Sequence, residues 1–170
     1  MPVAFPAAGH ARAVAQSNQG VGLFWAGRPA AARAVLHPAL DAVTGSGMEL
    51  TRLNCLSYLG LSAAFDGRLD EAATWSAQGR RLAEERGWMS AMQAAGSYLT
   101  AALVNLVRGK ASAAKQLLRQ GAPAMHEPTT AAAFNIAEML VDISLGRADA
   151  GLRSARNAPT CSMGMAFRTC

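Results

Sequence analysis

Aromatic residues make up only 6% of the chain and charged residues 16%, while hydrophobic residues reach 51%. The apolar half is therefore carried by Ala and Leu, which favour helices and have little preference for strands. A sheet-built fold is not expected. Cysteine is scarce as well: Cys55, Cys161 and Cys170 show no C-x-x-C spacing, and an odd number closes no disulfide framework. That usage predicts a reduced, cytoplasmic chain. No apolar run reaches the roughly 18 residues that a membrane helix needs, and Met1 to Ala15 lacks the charged start and apolar stretch of a secretion signal. Membrane spanning and secretion are both disfavoured. A G-x-x-x-x-G-K-[ST] phosphate loop is missing too, and His10, His37 and His126 stand far apart and read as surface or cap residues. Neither cofactor nor metal is expected.

What is present fits one domain: 170 residues suffice for a real core but not for two large ones. The formal charge of +5 could signal an acidic partner or a nucleic acid. The cations are spread from Arg12 to Arg156 with no dense run, as expected of solvated helix faces, so direct nucleic-acid binding is not expected.

Internal repetition organises the sequence. A Gly followed by Arg or Lys recurs at Gly27-Arg28, Gly67-Arg68, Gly109-Lys110 and Gly146-Arg147, in steps of 40, 42 and 37 residues. Each glycine fits the left-handed position that ends one helix and turns the chain into the next. The flanking segments carry apolar residues at helical spacing: Ala11 to Ala26 and Pro29 to Val43; Glu49 to Asp66 and Leu69 to Arg86; Trp88 to Val107 and Lys110 to Gln120; Thr130 to Leu145 and Arg147 to Arg156. Pro29 and Pro128 suit helix starts. Thr44 to Gly47, Gly87, Gly121 to Pro123 and Ala158-Pro159 break the pattern between pairs. The reading is a loose segment 1–8, a repeat domain 9–158 with repeats of about 11–43, 48–86, 88–121 and 128–157, and an irregular tail 159–170.

Small residues recur at fixed offsets from the turn glycine. Seven before stand Gly20, Gly60, Ala102 and Met139; five after stand Ala32, Ala72, Ala114 and Gly151; twelve after stand Ala39, Gly79, Gly121 and Ala158. This pattern resembles the small-residue signature of tetratricopeptide (TPR) repeats, in which such residues let helices nest. It implies an all-α, right-handed α-solenoid of about four antiparallel helix pairs. The 40-residue period is longer than the tetratricopeptide norm. With the phrases Arg52 to Leu59, Gly67 to Ala72 and Leu82 to Gly87, the chain is similar to the sensor region of MalT-like, LuxR-type bacterial transcriptional regulators. That resemblance implies a regulatory module. The ATPase and helix-turn-helix domains of that family have no counterpart in these residues.

In such repeats the first helix of each pair lines the concave side. Transferring the tetratricopeptide pattern by position gives a candidate groove of Val14, Ser17, Asn54, Ser57, Leu61, Gly96, Leu99, Leu103, Ala133, Ile136 and Leu140. Mostly apolar, with polar spots at Ser17, Asn54 and Ser57, it suits an amphipathic helix, an apolar peptide or a small effector. The same residues would equally pack against further repeats. Cys55 reads as a small buried hydrophobe, and Glu138 with Asp142 as a solvated face of the outermost pair. No nucleophile, acid and base set can be assembled, so a non-catalytic protein- or ligand-binding module is expected. A free-standing scaffold or peptide-binding adaptor is the alternative, and a helical enzyme or nucleic-acid binder would need a site that only the fold could assemble.

Overall fold

The computed structural model describes residues 7–147 together with Asp149 and Arg153. Within residues 7–147 seven α-helices pack together: α1 (Ala7–Trp25), α2 (Pro29–Val43), α3 (Glu49–Phe65), α4 (Leu69–Arg86), α5 (Ala95–Val107), α6 (Ala111–Gly121) and α7 (Pro128–Ser144). Among the described residues there is no strand. Ala7 and Ala8, expected in a loose segment, already belong to α1. The rest of that segment, nearly all of the arm Arg147 to Arg156, and the tail 159–170 lie outside the described residues.

The four turn glycines have φ between +72° and +74°. Around each, the glycine N–H bonds the carbonyl three residues back and the following Arg or Lys N–H the carbonyl five back, as in Gly67 to Ala64 and Arg68 to Ala63. This is a Schellman turn repeated four times, and it satisfies helix-end carbonyls that would otherwise lack donors. The cation after the glycine sits at the N-cap of the next helix at Arg28, Arg68 and Lys110. Pro29 and Pro128 occupy first helical positions, where the missing proline N–H costs nothing.

Packing runs along the chain. Each helix packs on its neighbours in sequence, most closely within the pairs α1–α2, α3–α4 and α5–α6, and α1, α3, α5 and α7 also touch one another in series. The small residues make this possible: Ala32, Ala39, Ala72 and Ala114 are fully buried. A Cβ added at Gly20 would run into Leu36, one at Gly79 into Ser97, and one at Gly121 would stand 2.6 Å from Tyr98 Cβ. Helix α5 is the most enclosed, with every residue from Ala95 to Ala102 buried.

The third first arm departs from expectation. It begins as α-helix at Ala95 and not at Trp88, because Gly87 closes α4 in a left-handed conformation and Ala91 is extended before a 3₁₀ turn at Met92–Ala94. Met89 and Met92, which precede α5, are exposed.

Candidate functional site

The four odd-numbered helices converge on an apolar cavity of about 300 Å³. The ends of α1 and α3 supply Phe24, Trp25, Leu61 and Phe65, while α5 gives Leu99 and Leu103 and α7 gives Ala133, Ile136, Ala137 and Leu140. Leu61 and Leu99 form its buried floor; Phe65 at 66%, Ile136 at 56% and Leu140 at 40% exposure leave it open to solvent. Phe24 meets Trp25, Tyr58 and Phe65 edge-to-face, with ring centroids 5.0, 5.7 and 5.2 Å apart, a geometry that stiffens the wall.

Of the residues expected in the groove, Leu61, Leu99, Leu103, Ala133, Ile136 and Leu140 are brought together here. The polar ones are not. Ser17 is buried and its Oγ accepts a 2.9 Å hydrogen bond from Asn54 Nδ2, which ties α1 to α3. Ser57 is buried and donates to the Gln93 carbonyl at 2.6 Å; its one proton being used there, Ser97 must be the donor in the 2.7 Å contact between their hydroxyls. Gly96 lets α5 approach at this point, since a Cβ on it would stand 2.9 Å from Ser57 Cβ. Ser17 and Ser57 therefore hold helices together and do not face a partner.

Asn54 also lines a second, smaller pocket of about 140 Å³ with Asn18, Val21, Tyr58, Met92, Gln93 and Glu127. Between the two pockets stands the Trp25–Tyr58 pair, whose indole Nε1 donates to the phenol oxygen at 3.1 Å. Burial pushes the Tyr58 hydroxyl above its ordinary value, and the Trp25 hydrogen bond opposes the rise. The position-by-position transfer missed Phe24, Trp25 and Phe65, although Trp25 and Phe65 share an offset of two residues before the turn glycine. It missed Gln93 and Glu127 because they lie in the links between repeats.

Asp142 corrects the reading of a solvated Glu138–Asp142 face. It is buried, with its carboxylate 2.6 Å from Lys115 Nζ and 3.0 Å from Arg147, so it joins α6 to the end of α7. The Lys115 hydrogen bond holds its carboxyl below the usual carboxylate range. Cys55 is fully buried, and burial raises its thiol away from the reactive thiolate. His10, His37 and His126 are exposed. Among the described residues no three His, Cys, Asp or Glu side chains gather as a metal site, and no helix is long and apolar enough to cross a membrane.

No protein-family model matches the chain, and no curated protein matches it in sequence.

Proposed function

We propose that the chain is a non-catalytic binding module, a right-handed TPR-like solenoid of about four antiparallel helix pairs whose concave side takes the apolar part of a protein, peptide or small effector. The observation that carries this reading is the open apolar cavity to which α1, α3, α5 and α7 all contribute. Mostly apolar concave sites at the meeting of several elements are where soluble proteins bind ligands. Support for the repeat architecture comes from the four equivalent Schellman turns and the small residues buried at matching offsets.

The proposal extends to a regulatory role, as the sensor part of a LuxR-type transcriptional regulator or a fragment related to one. It draws on the resemblance of Arg52 to Leu59, Gly67 to Ala72 and Leu82 to Gly87 to that family. A reading frame that continues into an ATPase domain on one side and a helix-turn-helix on the other would support it; an uninterrupted frame lacking both would favour the free-standing adaptor.

Binding itself is tested with Nile red, a neutral apolar dye. Saturable emission enhancement is expected with the wild-type chain, weakened about tenfold in the Ile136→Gln/Leu140→Gln variant, which places polar groups in an apolar site. Both positions are well exposed, so the fold should survive, as circular dichroism would verify. Unsaturable enhancement, or equal enhancement by the folded variant, would remove the cavity as the site.

A further inference from the structure

The two pockets are built from the same four chain segments in the same order. Asn18 and Val21 precede Phe24 and Trp25; Asn54 and Tyr58 precede Leu61 and Phe65; Met92 and Gln93 precede Leu99 and Leu103; Glu127 precedes Ala133 to Leu140. The odd helices thus run side by side in one direction, and in each segment the residues that line the polar pocket come before those that line the apolar one. A hydrogen bond joins Trp25 of the apolar pocket to Tyr58 of the polar one, so the two linings follow one another in a row. From Asn54 to Phe65 the helical rise gives it a length of about 16 Å.

Its polar end has a distinctive composition. Asn18, Asn54 and Gln93 contribute amides, and among the described residues Glu127 is the one formally charged residue lining either pocket. In a chain of net charge +5, that charge is negative. No ion pair to Glu127 occurs among the described residues.

We propose that the two pockets act as one trough and take an elongated small amphiphile in one orientation, its apolar chain on Leu61, Leu103 and Leu140 and its cationic, N–H-bearing head on Glu127, Asn54 and Gln93. This deepens the binding-module reading and rests on it. An anionic head would face the Glu127 carboxylate with no cation among the described lining residues, and a uniformly apolar ligand would leave that carboxylate unpaired and set hydrocarbon against the half-buried Gln93 amide. From Tyr58 to Phe65 the apolar half measures about 10 Å, roughly the reach of an extended eight-carbon chain.

The test displaces bound Nile red with three probes that share one tail: octylammonium, octanol and octanoate. Octylammonium should displace at about three- to tenfold lower concentration than octanoate, as a partly exposed ion pair allows, with octanol between. The whole chain's positive charge alone would give the reverse order. Glu127→Gln should collapse the difference, each displacing concentration being scaled to that protein's own Nile red affinity. Equal displacement by all three, octanoate ahead, or an order that survives Glu127→Gln would overturn the oriented-amphiphile proposal and leave an apolar binding module standing. Failure of Nile red to bind at all would overturn both.

Discussion

Trp25 Nε1 donates a 3.1 Å hydrogen bond to the Tyr58 hydroxyl across α1 and α3, 33 residues apart in sequence. The pair joins the lining of the amide-rich pocket to that of the apolar one and gives the indole N–H an acceptor. Tyr58→Phe should cost about 1 kcal/mol in urea unfolding, since the partly buried indole N–H loses its acceptor. It should also redshift Trp25 emission only slightly, because the ring packing with Phe24 remains. No change in the unfolding midpoint would mean that water replaces the phenol at no cost.

Two glycines should respond in opposite directions. At Gly121 a Cβ would stand 2.6 Å from Tyr98 Cβ and 2.9 Å from Phe134 Cζ, so Gly121→Val should lose about 1–3 kcal/mol to overpacking. Gly22, inside α1, has nothing within 4 Å of its added Cβ. There Gly22→Ala should gain about 0.5–1 kcal/mol from helix propensity. Thermal unfolding of both variants reads the signs, and matched signs would contradict the packing described.

The turn glycines make a separate claim. Gly67 has φ +74° with open space around it, so Gly67→Ala pays only for the left-handed backbone, about 1–2 kcal/mol. Denaturant unfolding should show that loss with an unchanged slope against denaturant.

Asp142 sets an acid limit on stability. Its carboxyl is depressed in the folded chain, principally by the Lys115 hydrogen bond, so the stabilisation is complete above the unfolded value near pH 4 and fades as pH falls through the lower folded value. Asp142→Asn should cost about 1–2 kcal/mol at neutral pH, allowing for the half-exposed Arg147 partner. The gap between variant and wild type should narrow below about pH 4. A gap that is constant with pH would show that the charge plays no part.

Much of this architecture was legible in the sequence because backbone chemistry is local. A glycine that must adopt positive φ, followed by a helix start, announces each turn, and α2 and α4 begin and end where the pattern places them. The third first arm was misplaced because Ala91, an unremarkable residue by type, is held extended by its surroundings. The apolar half of the site was reachable because groove positions recur at fixed offsets. Of the polar pocket only Asn54 was reachable in that way: whether Ser57 meets a ligand or Ser97 depends on how closely α5 approaches α3, and Glu127 comes from a link that no repeat position describes. Asp142 looked like a surface carboxylate since its partners Lys115 and Arg147 come from outside its own helix face.

The chain contains only two isoleucines, Ile136 in the apolar cavity and Ile143 outside its lining. A methyl NMR spectrum of isoleucine-labelled protein, titrated with octylammonium, therefore reads the site with two signals. The binding account predicts a saturable shift of the Ile136 methyl resonance while Ile143 stays nearly still. Equal movement of both, or an Ile136 signal unmoved at concentrations that displace Nile red, would contradict it.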